Sequence, residues 1–104
     1  MNFKILIASL FFASPALAEV AYVNMPVKQL FSEGTTAGGF YLTETNLAAQ
    51  CLYGIMYFRL DTDTGKAQFS SLLAAKAAGW RIKRIDYSRD ASSGVCSATG
   101  IHID

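Results

Sequence analysis

The first 18 residues limit what this chain can fold into, because they contain the parts of a cleavable export signal in the right order. A single positive charge, Lys4, precedes an apolar run of nine residues, Ile5–Ala13. Ala16-Leu17-Ala18 then places small residues where a signal peptidase requires them. The apolar run is much shorter than the roughly 20 residues of a membrane-spanning helix. We therefore predict a signal peptide over residues 1–18 and a single domain over residues 19–104; the alternative is a buried N-terminal helix.

Removal of this signal would leave 86 of the 104 residues, which is enough for one modest hydrophobic core. The chain has 9 Lys and Arg residues against 8 Asp and Glu residues, and Lys4 would be lost with the signal. The remaining domain is therefore neutral when its histidine is neutral. A neutral domain lacks the basic patch that nucleic acid requires, so we predict no nucleic-acid partner. No later segment is long and apolar enough to predict a membrane span after cleavage.

Two cysteines, Cys51 and Cys96, both lie in the predicted exported part. Export places the domain in the periplasm or outside the cell, where a pair of this kind forms a disulfide. The bridge would close a loop of about 45 residues and contribute roughly 3 to 4 kcal/mol to stability. A pair of redox-active thiols is the alternative, but the Cys-x-x-Cys spacing is absent. We therefore predict a Cys51–Cys96 disulfide.

Alternation of apolar and polar residues predicts a mainly β domain. The clearest strand is 55–61, in which Met56, Phe58 and Leu60 share one face. In a strand over 80–87, Ile82 and Ile85 fall on opposite faces, which predicts either a bulge or a second apolar surface. Further strands are predicted over 40–44 and 96–104, and residues 21–31 form either two short strands or one strand bent at Pro26.

One amphipathic helix is predicted over about residues 65–78. Asp63 or Thr64 would cap its start, and Gly79 stands where a left-handed residue ends a helix. Its apolar side chains recur at helical spacing, and we expect the helix to pack on the sheet through Phe69, Leu72 and Leu73.

Groups that could carry out chemistry are sparse, so we predict a protein that is not an enzyme and has neither a metal nor a cofactor. His102 is the sole histidine, and Asp104 would share its face on a strand, but no nucleophile accompanies them. A small hydrolase that uses His102 is the alternative. Asp61-x-Asp63 lacks the later ligands of a calcium loop and is more typical of a helix cap.

Aromatic residues are the better indication of function. The predicted domain has five tyrosines and one tryptophan. These rings bury area while keeping one polar group, and they also stack on the faces of sugars. Tyr41 and Tyr57 are therefore candidate ligand-binding residues. The alternative is that the rings only cover the sheet and fill the core.

From Phe40 onward the order of elements resembles a known group of proteins. The features are a strand pair, Cys51, the helical run 65–79, a strand ending in Ile85-Asp86-Tyr87, Cys96 and a final strand over 101–103. This order is similar to small signal-bearing bacterial proteins and to the B subunits of AB-type toxins of the subtilase-cytotoxin and pertussis-like kind.

The resemblance implies an OB-like fold: a small five-stranded antiparallel barrel or sheet with one helix. It further implies a non-enzymatic homo-oligomer that binds a host glycan or protein receptor beside a toxin A subunit. Tyr87 ends the strand after the helix and is implied as a ligand-binding residue. A monomeric secreted or periplasmic domain that inhibits or binds another protein is the alternative function.

Overall fold

The computed structural model describes residues 16–104 of the chain, with side chains from Ala18 onward. The predicted signal peptide lies outside the described residues except for its last three, which begin the first strand. In chain order the elements are β1 (Ala16–Pro26), β2 (Leu30–Glu33), β3 (Ala37–Tyr41), α1 (Thr45–Gln50), a 3-10 turn (Leu52–Gly54), β4 (Ile55–Arg59), α2 (Asp63–Ala78), β5 (Arg81–Asp90) and β6 (Cys96–Ile103).

The six strands form one sheet in the order β1-β5-β6-β4-β3-β2. Neighbouring strands are antiparallel, except that β4 and β6 are parallel. The α+β class is confirmed, but the prediction of a five-stranded antiparallel barrel is wrong, because the sheet is mixed, has six strands and is not closed. Pro26 accounts for the extra strand: it has no N–H to donate to a ladder, and the chain leaves the sheet after it.

The hydrophobic core covers one face of the sheet. Met56 and Phe58 of β4 point into it, as the alternation predicted, and Leu60 packs at its margin. Full burial of such a side chain contributes about 1.5 to 3 kcal/mol. The largest side chains that are fully buried are Phe40, Met56, Leu72, Ile82, Ile85 and Cys96.

A change of register explains the two isoleucines of β5. Ile82 pairs with Ile103 of β6, whereas Arg84 pairs with the very next residue, His102. The extra residue in β5 forms a bulge. Because of this bulge, Ile82 and Ile85 point to the same face of the sheet although three positions separate them. Both Ile82 and Ile85 therefore reach the core and are fully buried.

The main helix, α2, begins two residues before the predicted start. Its cap is Thr62, whose Oγ1 accepts a hydrogen bond from the Gly65 backbone N–H at 3.0 Å. The prediction of Asp63 or Thr64 as the cap is therefore wrong, because both lie inside the helix. Gly79 ends the helix in a left-handed conformation, φ 76°, as predicted.

The buried face of α2 differs from the predicted one. Leu72 is buried as expected and Phe69 is half-buried, but Leu73 is 49% exposed. Small residues decide which face packs inward, because they let the helix come close to the sheet. A Cβ on Gly65 would lie 1.4 Å from the Arg59 carbonyl oxygen, so only glycine fits there. The buried residues of α2 are Gly65, Gln68, Leu72 and Ala75.

The predicted disulfide joins Cys51 and Cys96, with 5.4 Å between their Cα atoms. It links the segment after α1 to the first residue of β6. The stretch between β3 and β4 contains the short helix α1 and a 3-10 turn where the sequence predicted only a connection. Two hydrogen bonds hold the same segment: Leu52 N–H donates to the Gly94 carbonyl at 2.8 Å, and Arg89 Nε donates to the Gln50 carbonyl at 2.7 Å.

Candidate functional site

An aromatic surface covers the sheet face opposite the core, on β2, β3 and β4. Strand register places Phe31 of β2 beside Gly39 of β3, and Gly39 beside Tyr57 of β4. Because Gly39 has no side chain, the two rings meet across it, with centroids 6.1 Å apart and planes perpendicular. A Cβ on Gly39 would lie 2.9 Å from the Phe31 ring. The Tyr41 ring packs on the other side of Phe31, with centroids 5.8 Å apart.

Tyr53 extends this surface from the 3-10 turn that precedes β4. Its backbone is left-handed, with φ 60°, and its side chain is 74% exposed. A non-glycine residue held in this region costs about 1 to 3 kcal/mol, and such strain is concentrated at functional sites. The disulfide at Cys51, two residues earlier, holds the turn in place.

These four residues, Phe31, Tyr41, Tyr53 and Tyr57, are called the aromatic surface below. They border a cleft of about 620 Å³. Polar groups at its rim come from β2 and the residues before it, and they are Gln29, Ser32 and Glu33. The cleft thus combines flat rings, three of which carry a phenol hydroxyl, with one carboxylate, one amide and the Ser32 hydroxyl.

The phenol of Tyr57 is held in its neutral form at physiological pH. Partial burial raises the pKa of Tyr57 above its ordinary value, and the nearby Glu33 carboxylate raises it further. Tyr53 and Tyr41 add to the rise by smaller amounts. The Tyr57 hydroxyl is therefore available as a hydrogen-bond donor as well as an acceptor.

The structure brings together two of the three predicted ligand-binding residues. Tyr41 and Tyr57 both belong to the aromatic surface, whereas Tyr87 lies on the core face and is 3% exposed. Its hydroxyl is 3.5 Å from Oε1 of both Glu19 and Gln50. Burial raises the pKa of Tyr87, and Glu19 adds to the rise.

Sequence reasoning missed Phe31 and did not single out Tyr53. Phe31 joins the aromatic surface through the register of β2 on β3, and its ring fits because residue 39 is glycine. With the three strands aligned, Gly39 lies between Phe31 and Tyr57, and this pattern could have indicated that the two rings meet. No signal in the sequence indicated the left-handed backbone of Tyr53, because that conformation is uncommon for a tyrosine.

The groups considered for catalysis do not form the His102–Asp104 pair that the alternative of a small hydrolase would use. The carboxylate nearest to His102 is Asp86, with 3.9 Å between Nε2 and Oδ2, rather than Asp104. Arg84 Nε donates to the other oxygen of Asp86 at 2.8 Å. Asp61 is paired with Arg59, whose guanidinium lowers the pKa of that carboxyl.

Two further properties concern residues 16–104 only. In that range no three His, Cys, Asp or Glu side chains cluster closely enough to hold a metal ion. None of the helices described there has both the length and the apolar character needed to cross a membrane.

No protein family, curated protein or solved structure matches this chain. The fold and the site define its class on their own: a small disulfide-linked α+β domain that carries an exposed aromatic surface on its sheet.

Proposed function

We propose that this protein is a secreted, non-enzymatic module that binds glycans through the aromatic surface. The observation that carries the proposal is the exposure of Tyr53 and Tyr41 beside the packed rings of Phe31 and Tyr57. Exposed aromatic rings that are contiguous, as these are, mark interaction sites, whereas single exposed rings are ordinary. A left-handed backbone that presents one of these rings to solvent agrees with a binding role.

The chemistry of the cleft suits a sugar. The apolar face of a pyranose ring can lie on an aromatic ring, while its hydroxyls need both donors and acceptors at the rim. Gln29, Ser32 and the Tyr57 hydroxyl supply both, and Glu33 supplies a strong acceptor. A cleft of about 620 Å³ is within the usual size range of small-ligand sites.

The disulfide agrees with an extracellular or periplasmic location, because bonds of this kind persist in oxidising compartments. It would also help so small a domain to remain folded outside the cell.

We also propose an OB-like relationship, which the connectivity supports although the sheet is open and has six strands. β1 and β2 are consecutive in the chain, are separated by residues 27–29 and lie at opposite ends of the strand order. Counted as two halves of one bent strand, they reduce the sheet to five strands, with α2 between the third and the fourth. The Tyr41 N–H donates to the Gln29 carbonyl at 3.0 Å, which extends the pairing towards the bend. The resemblance to toxin B subunits implies five strands and one helix, which is close to this count, so a host-cell glycan and an accompanying A subunit belong to the same proposal.

The test is a glycan array followed by calorimetry on residues 19–104. We expect Tyr53→Ala to weaken binding about 10-fold, because truncation of a central contact ring costs more than about 1 kcal/mol. Tyr41→Ala should have an effect of the same order. Trp80→Ala is the matched control, since Trp80 is 55% exposed but lies beyond the end of α2.

Wild-type affinity in both tyrosine variants, or the absence of any glycan ligand for the wild type, would contradict the proposal. Binding to a protein receptor that is lost in the same two variants would assign the surface to a protein partner instead.

A further inference from the structure

A second cleft lies where β4 and β6 separate. The two strands pair at only two positions, Met56 with Cys96 and Tyr57 with Ser97. The first turns of α2 fill part of the gap beyond that point, and a cleft of about 370 Å³ remains. Its walls are formed by β4, β6, the residues before β3 and the start of α2.

Gln68 of α2 lines this cleft and is a buried polar residue, with 8% of its surface exposed. Neither its Nε2 nor its Oε1 has a hydrogen-bond partner in the described part of the chain. A buried amide that no protein group satisfies is unfavourable, so Gln68 is a candidate contact for a polar ligand. Both atoms are covered by neighbouring groups in the structure, and Gln68 is one of the residues that line the cleft.

The lining of the cleft indicates a neutral ligand. Arg59 is its one charged side chain, and that guanidinium is already paired with Asp61. The other polar groups are hydroxyls together with the Gln68 amide. Apolar groups occupy the remaining wall, and they belong to Ala37, Phe58 and Ala98.

An acetamido group fits these requirements. Its carbonyl can accept from Nε2 of Gln68, or its N–H can donate to Oε1, and its methyl group can pack on the apolar wall. Tyr57 lines both this cleft and the cleft of the aromatic surface, so the two clefts adjoin at that residue. We propose that the Gln68 amide turns into its cleft and binds the acetamido group of a neutral amino sugar whose chain extends over the aromatic surface. This inference rests on the proposed glycan-binding function.

The test compares two disaccharides with the same ring linkage, N,N′-diacetylchitobiose and cellobiose, which differ in their acetamido groups. We expect the wild type to bind the acetylated disaccharide at least 10-fold more tightly by calorimetry. Gln68→Met keeps a similar volume and should abolish that preference, so that it binds the acetylated disaccharide no more tightly than cellobiose. The side-chain amide resonances of Gln68 should shift when N-acetylglucosamine is added and stay unchanged when glucose is added.

A thermal melt separates this role from a purely structural one. Because Gln68→Met removes two unpaired polar atoms, its melting temperature without ligand should rise by a few degrees. A fall in melting temperature would show that Gln68 supports the fold and would overturn the inference. Equal binding of both disaccharides by wild type and Gln68→Met would overturn it while leaving the glycan-binding function intact. Failure of the wild type to bind either disaccharide, with no ligand found on the glycan array, would overturn both.

Discussion

At the scale of single residues, the sequence indicates which side chains are polar more readily than it indicates where a small side chain allows close packing. Gly39 determines that two rings can meet, and Gly65 determines how closely α2 approaches β4. Both effects depend on which residues become neighbours after folding. The sequence identified Tyr41 and Tyr57 as candidate binding residues by residue type alone, whereas Phe31 became visible only through the pairing of strands.

Ionisation of Tyr57 tests the environment of the aromatic surface. Its pKa is raised in the folded protein, so the folded state holds this proton more tightly than the unfolded chain. The resulting stabilisation is present below a pH of about 10 and is lost as pH rises through the folded pKa. In an alkaline absorbance titration, Tyr57→Phe should remove one late step and Glu33→Gln should shift that step to lower pH. Glu44→Gln is the control, and identical curves for both glutamine variants would contradict the assignment.

At the scale of elements, the sequence predicted α2 well but predicted its orientation poorly. Capping residues and Gly79 gave an extent close to the observed one, because these signals are local. The packing face depends on the sheet opposite, and there the small residues Gly65 and Ala75 outweighed the more hydrophobic Leu73. Gln68 could not be predicted as buried, because its type favours solvent.

The Cys51–Cys96 disulfide lies next to the 3-10 turn that carries Tyr53 of the aromatic surface. Replacing both Cys51 and Cys96 by serine should lower the free energy of unfolding by roughly 3 to 4 kcal/mol, measured by urea denaturation. The 3-10 turn that carries Tyr53 follows Cys51 directly, so glycan affinity should also fall in the double variant at temperatures where it remains folded. An unchanged affinity would show that the hydrogen bonds of Leu52 and Arg89 hold the turn without the disulfide.

At the scale of the whole molecule, the α+β class, the disulfide and most strand positions could be predicted from the sequence, whereas the open form of the sheet could not. Residues on the two sides of Pro26 form one bent strand or two separate strands, depending on which strands they pair with. β1 pairs with β5 and β2 pairs with β3, so the halves lie at opposite edges. Long-range pairing of this kind leaves no local trace in residues 21–31.

Those two edges bear on the predicted homo-oligomer. In the described residues, β1 and β2 each have one neighbouring strand, and an edge strand is a template for pairing with another chain. β1 also carries exposed Val20 and Tyr22 on one face.

We therefore expect residues 19–104 to self-associate in sedimentation or light-scattering measurements, with β1 at the contact. Val20→Lys should shift the protein towards the monomer, because a charge on an edge strand opposes pairing. Leu73→Lys is a matched control, since Leu73 and Val20 are both 49% exposed and Leu73 lies on α2. A wild type that stays monomeric at every concentration, or equal behaviour of the two lysine variants, would remove β1 as an association surface and favour the monomeric alternative.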